Sequence, residues 1–437
     1  VTDDVTEGAA PAAGLPREDR GLGGRFWTLW SASTVTNLGQ GASAVAFPWL
    51  ATTLTSDAFL VALTGVAVRL PWLLFSLPAG VLADRLDRRH LMLWMSVARA
   101  LIVGLVALFV ALDAMSLPVL CACALALGFA EVLFDNTAQV LLPSVVARVH
   151  LPTANGRLMA AQMVSDDFVA RPLGGALLGF ALAAPFVFDA GAAVATGAVL
   201  LLLRGSYRVR TAHEPGATAA PRRSMRAEIA EGVRWLWDIP VLRRLAVSLA
   251  VINGSTQAAL AVYVLYAQEV LGLGPVGFAV LTSAAGVGGV LGGLLAGRAG
   301  RRLGPARSLL VLLALQVIAF AAAAVASHAL VVGVAMSATG FGAVLWNVTT
   351  VSLRQTIIPD RLLGRVNSVY RLLGWGAMPL GMLAGGGLVA LVEAEFGREA
   401  GLRAPFLAVA VICAGLAVYV RRHLHARAIA EALAGAR

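Results

Sequence analysis

From Phe26 to Val420 the chain alternates long apolar blocks with short polar breaks. Each block runs for about 20 residues, the length at which a helix crosses the hydrocarbon core of a bilayer. The pattern predicts twelve helices, at 26–50, 59–79, 91–112, 118–142, 157–181, 185–204, 245–270, 276–297, 306–326, 329–353, 367–391 and 405–421. An all-α integral membrane protein is therefore expected, since only a helix satisfies its own backbone groups in lipid. Residues 1–25 contain no apolar stretch and are expected to form a disordered cytoplasmic tail rather than a signal peptide. A longer polar gap at 205–244 divides the blocks into two sets of six, 26–204 and 245–421, and a second tail covers 422–437. Within the gap, Met225, Ile229, Val233 and Leu236 recur at helical spacing opposite Arg226, Glu228, Glu231 and Arg234. That stretch is expected to be an amphipathic helix on the inner membrane surface that tethers the halves.

The two sets repeat one another. Gly80-Val-Leu-Ala-Asp-Arg-Leu-Asp-Arg-Arg89 aligns without gaps to Gly293-Leu-Leu-Ala-Gly-Arg-Ala-Gly-Arg-Arg302, with identity at six of ten positions. Pro172-Leu-Gly174 and Pro379-Leu-Gly381 echo one another in the fifth block of each set. A duplicated six-helix unit is the arrangement of secondary transporters that rock two halves about a site at the midplane.

Composition agrees: 59% of the 437 residues are hydrophobic and 13% charged, against roughly 45–50% and about 25% in soluble domains. The net charge of +10 does not indicate nucleic acid, because the basic residues sit in the breaks rather than on one folded patch. They are all arginines, and they crowd the even-numbered breaks (Arg85, Arg88, Arg89; Arg298, Arg301, Arg302, Arg307; Arg354, Arg361, Arg365), whereas Arg398 and Arg403 stand in an odd one. The positive-inside rule then places both termini in the cytoplasm and the protein in the plasma membrane. Cys121, Cys123 and Cys413 lie inside apolar blocks and show no metal or disulfide spacing. Neither a metal set nor a nucleophile–base pair is present to suggest an enzyme, and no cofactor is expected.

The segment Gly80–Arg89 resembles the signature loop G-x-L-A-D-R-x-G-R-R of the major facilitator superfamily, with Asp87 in place of Gly. Pro172-Leu-Gly-Gly175 is similar to the G-P-x-x-G-G antiporter motif of its fifth helix, with Arg171 in place of the first Gly. Leu142-Pro143, Ala154-Asn155, Ile229-Ala-Glu-Gly-Val-Arg-Trp-Leu, Gly277-Phe-Ala-Val-Leu-Thr-Ser, Arg354-Gln355, Pro359 and Gly364-Arg365-Val366 resemble the drug–proton antiporter branch of macrolide, tetracycline and siderophore exporters. The resemblance implies proton-coupled export of a small hydrophobic drug or metabolite by a monomer. The alternatives are an importer or facilitator of the same fold, a transport-inactive sensor, or a membrane enzyme. It also implies a gating motif of Gly80, Asp84, Arg85, Arg88 and Arg89, in which Asp84 faces the positive end of a helix in the other half.

Ionisable groups within spans are costly and mark function by default. The deep ones all fall in the first half: Arg69, Arg99, Glu131, Asp135, Asp166, Asp167, Arg171 and Asp189. Glu131, Asp135 and Gln139 form one stripe on the fourth helix, which the resemblance places at the central cavity. Two readings stay open. Arg69 and Arg99 pair with Glu131 or Asp135 as structural ion pairs, or one of Glu131, Asp135, Asp166 and Asp167 exchanges protons with substrate while Arg69, Arg99 and Arg171 are charge partners. Asn37, Gln40, Asn253, Gln257, Trp346 and Asn347 sit on the other expected cavity helices and are candidates to line a site for an amphipathic small molecule.

Overall fold

The computed structural model describes residues 22–203, 207 and 225–434, with side chains except at 76, 77, 80, 81, 83–85, 148, 225–229, 360 and 361. The first set of blocks becomes α1 (Gly23–Leu54), α2 (Ala58–Arg85), α3 (Arg88–Ala111), α4 (Leu117–Val145), a composite fifth rod, and α7 (Ala184–Leu201). The fifth rod is α5 (Leu151–Met163), a π-helical stretch Val164–Ala170, and α6 (Arg171–Phe180). In the second set, α9 (Pro240–Ala261) bends by 45° into α10 (Tyr263–Leu265) and a second π-helical stretch, Tyr266–Val270. The stretch α11 (Pro275–Val325) is two helices, the eighth and ninth predicted, that meet at a kink at Gly304, whose φ of 70° favours a residue without Cβ. Then come α12 (Ala329–Ile357), α13 (Asp360–Phe396), α14 (Arg398–His423) and a terminal α15 (Ala426–Ala434). Each predicted span thus falls mostly on helix, with residue 204 lying outside the described residues. Eight of these helices are long and apolar enough to cross a membrane, or nine with the bent pair counted as one. α1 falls short because Thr34, Thr36, Asn37 and Gln40 dilute its apolar face.

The halves meet reciprocally. α2, the second rod of the first half, packs on α13, the fifth of the second; α6, in the fifth rod of the first half, packs on α11. This exchange is what a two-fold relation between duplicated units requires. It also explains the repeated Pro-Leu-Gly. A Cβ on Gly174 would overlap the backbone of Ala42 in α1, and one on Gly381 would overlap that of Gly254 in α9. The same close approach of fifth rod to first rod is made twice, and small residues at such crossings let membrane helices pack backbone to backbone.

The buried apolar residues form three clusters. One spans both halves, from Val45, Leu50 and Val61 to Tyr266, Phe278 and Phe406. The other two stay within single halves: Leu242, Leu313 and Tyr370 in the second, and Phe26, Met92 and Leu141 in the first. The shared cluster lies toward the connections at 55–57, 271–274 and 326–328, the face opposite the linker, called the distal face below. Exposed Phe180, Val325 and Leu330 lie at the rod ends near it.

Within the linker, α8 (Met225–Asp238) forms as expected, but its partner is protein. Gly232 sits against the backbone of Arg365 in α13, Glu231 binds Arg365 at 2.7 Å, and Leu236 is fully buried while Val233 is exposed. Of the predicted stripe, Leu236 packs and Val233 faces outward, the Met225 and Ile229 side chains lying outside those described, and α8 is docked on the second half.

Candidate functional site

The signature loop works first as a pair of helix caps. Asp87, where the family pattern has Gly, accepts from the backbone N–H groups of Arg89 and His90 at the start of α3 (3.0 and 3.2 Å) and from that of Tyr207 (3.0 Å). These donors lack intrahelical partners, so a carboxylate there both caps and complements the helix dipole. Arg89 does the converse at the end of α7, donating to the carbonyls of Leu200 and Leu201 (3.2 and 3.0 Å). Arg88 donates to Ser144 of α4 at 2.9 Å. The predicted gating contacts of Gly80, Asp84 and Arg85 lie outside the described residues.

The deep charges of the first half separate into two groups. In the first, Arg99 of α3 grips Asp189 of α7 with both prongs, Nε to Oδ1 at 2.9 Å and NH2 to Oδ2 at 2.6 Å. Ser43 of α1 adds a third hydrogen bond to Asp189 at 2.6 Å. The side chains of Arg99 and Asp189 are 9% and 1% exposed. Gly39 makes room for this carboxylate, because a Cβ there would collide with it. The expected pairing of Arg99 with Glu131 or Asp135 is therefore corrected: Asp189 reaches the fork directly, and bidentate geometry wins over proximity. Arg69 is exposed on α2 and pairs with neither acid.

Glu131 and Asp135 remain beside that pair with no ion pair of their own among the described residues. A cavity of about 10 Å³ separates Glu131 from Arg99, with Thr36, Gln40, Ser96 and Phe134 in its wall; this is about the room one water needs. Asp135 lies within electrostatic reach of both Glu131 and Arg99. Four ionisable groups, one cationic and three acidic, thus meet where α1, α3, α4 and α7 converge.

The second group sits on the π-helical stretch of the fifth rod. Arg171 lies 3.1 Å from Asp167 and 3.5 Å from Asp166, and its NH1 donates to the carbonyl of Thr282 in the other half at 3.3 Å. Asp167 abuts Gly286 of α11. Single turns of π-helix inside longer helices occur often at functional sites, and this one turns both acids and their arginine toward the interface between halves.

The candidate cavity residues of the second half diverge. Asn253 donates to the carbonyl of Gly374 at 2.9 Å, which binds α9 to α13. Trp346 is buried, Gln257 is half-buried and Asn347 exposed; in the first half Asn37 and Gln40 are half-buried. Trp72 and Trp375 meet edge to face across the two halves, with centroids 5.4 Å apart. Sequence reading, which places Arg354 among the side-marking arginines and in a family-like stretch, missed its packing. It is buried in α12, donates to Thr350 O and to Asn367 Oδ1 (3.2 and 2.7 Å), and lies 3.9 Å over the Tyr370 ring. An arginine placed next to a helix end gives no sign in sequence of which aromatic ring will cover it.

Over residues 23–431 the chain matches the family described as transmembrane secretion effector. It is 30% identical over 407 residues to the multidrug efflux pump Tap of Mycobacterium tuberculosis, covering 90% of each chain. To the pump of that name from Mycolicibacterium fortuitum it is 27% identical over 398 residues, covering 87% of this chain and 91% of the relative. Among solved structures it is similar to a bacterial homologue of the human lysosomal transporter Spinster in an inward-facing, unoccupied conformation (TM-score 0.72, 17% identity, 93% of this chain and 97% of that one). It also resembles the nucleoside transporter NupG (TM-score 0.68, 12% identity, 92% and 99%). At such identities the likeness is one of fold. With two sets of helices packed reciprocally and a family match over nearly its whole length, the chain belongs to the transmembrane secretion effectors, membrane transporters of the major facilitator superfamily.

Proposed function

We propose that this transporter is a proton-driven exporter of small hydrophobic compounds, working as a monomer by alternating access in the plasma membrane with both termini cytoplasmic. One observation carries the reading: Asp189 binds Arg99 with both prongs, so Glu131 and Asp135, half-buried beside that pair, form no ion pair of their own among the described residues. A pair of carboxylates in low dielectric needs a counter-charge, and a proton is the one that can be taken up on one side and released on the other. Moving one proton down about 150 mV supplies about 3.5 kcal/mol, enough to hold a concentration ratio of a few hundredfold. The relatives named as multidrug efflux pumps support export. The separate cores on the linker side and the shared core on the distal side support a molecule that opens one face at a time.

The test is export of ethidium by proteoliposomes under an imposed pH gradient, with and without a protonophore. Glu131→Gln or Asp135→Asn is expected to abolish gradient-driven export while leaving ethidium counterflow intact. Export in both variants at the wild-type rate would remove this pair as the coupling site and shift attention to Asp166 and Asp167. Wild-type transport that ignores the protonophore would favour a facilitator.

A further inference from the structure

On the distal face, Gly397 alone joins α13 to α14, and its φ of 84° is one that a side chain disfavours. The turn sets Arg398 in a cleft of about 480 Å³ whose walls come from both halves, Ser56 and Asp57 from the first and Glu269 and Glu393 from the second. Nε and NH2 of Arg398 form a two-pronged pair with Glu269, each bond 2.8 Å, and NH1 donates to Glu393 at 2.8 Å. Two carboxylates of one half thereby fix the plane of the guanidinium. The remaining NH2 hydrogen points across the interface and donates to the carbonyl of Ser56 at 2.7 Å. Nearby, Gln268 donates to Thr52 at 3.0 Å, a second bond between the halves. The shared apolar cluster lies toward this face.

The ion pairs are partly exposed, with Arg398 at 28% and its partners at 36% and 38%. Screened pairs of that kind contribute little to global stability, so stability is a poor account of this arrangement. Direction is the better one: three acid-directed donors orient a fourth onto a backbone carbonyl of the opposite half.

We propose that Arg398 is the positioning residue that latches the distal face shut, and that transport requires its bond to the Ser56 carbonyl to break and re-form in each cycle. The proposal rests on the alternating-access reading above.

The experiment uses the full-length transporter with Cys121, Cys123 and Cys413 replaced by Ser, carrying the pair Thr52→Cys and Gln268→Cys, in proteoliposomes with ethidium. Oxidation should cross-link the pair rapidly and stop export, and dithiothreitol should restore it. Adding Arg398→Ala should slow cross-linking about tenfold, the low end of what losing a hydrogen bond from a charged donor gives, with the unfolding midpoint unchanged. Arg398→Lys, which keeps charge but loses the fork, should fall between and carries the test if the alanine variant does not accumulate. Cross-linking at the parental rate in these variants would overturn the latch. Full export by the cross-linked protein would instead overturn alternating access at this face, whatever the Arg398 variants do.

Discussion

The pairing of Arg99 with Asp189 gives the sharpest test of the buried charge network. Replacing Asp189 with Ala removes the acceptor of three hydrogen bonds, two from Arg99 and one from Ser43, and leaves a cation that is 9% exposed. Removing one partner of a buried pair costs about 3–5 kcal/mol, much of it the penalty of the charge left behind. Glu131, across the small cavity from Arg99, can recover part of that, so a loss near about 3 kcal/mol is expected for Asp189→Ala. It should be larger once Glu131→Gln is added. Arg99→Leu alone leaves Asp189 with only Ser43 and should cost a similar amount. The double variant Arg99→Leu/Asp189→Ala removes both partners together and leaves neither without its mate, so it should lie closer to the parent than either single change. The corresponding coupling energy is about 3 kcal/mol. Unfolding titrations of the purified protein in mixed micelles measure the cycle. Single variants within about 1 kcal/mol of the parent, or losses that simply add, would show that the two residues do not act as a pair. A corollary distinguishes this assignment from pairing with the α4 acids: Arg99→Leu should fail to rescue any loss of expression caused by Glu131→Gln.

Three further outcomes are expected. Asp87→Ala removes the α3 cap and the tie to Tyr207 and should destabilise the protein by about 1 kcal/mol in the same titration. Gly340→Val should prevent accumulation of folded protein, because any Cβ there overlaps the carbonyl of Ala285, an overlap that neither backbone can relieve cheaply; size-exclusion profiles of detergent extracts give the readout. Reporter fusions after Arg89 and Arg427 should behave as cytoplasmic and a fusion after Arg398 as external, and the reverse labelling would invert the orientation proposed above.

Hydropathy alone carried the rough limits of the helices, because a lipid-spanning segment must be apolar over about 20 residues wherever it sits in the fold. The repeat showed as two short echoes. Asp167 and Arg171 were legible as a pair because a four-residue spacing on one helix brings side chains together locally. The choice of Asp189 over Glu131 and Asp135 by Arg99 was not, since it depends on how α3, α4 and α7 are rotated about their axes when they pack. The π-helical register that swings Arg171 toward Thr282 is likewise a product of contact between halves, as is the reach of Arg398 to a carbonyl 342 positions away in the chain. Even the Pro-Leu-Gly echo, plain as a pattern, acquires its cause only when Gly174 and Gly381 are seen against Ala42 and Gly254. What a residue prefers as a solvent neighbour is a local property and can be read along the chain; which partner it meets is set by the crossing of helices, and only the tertiary structure decides it.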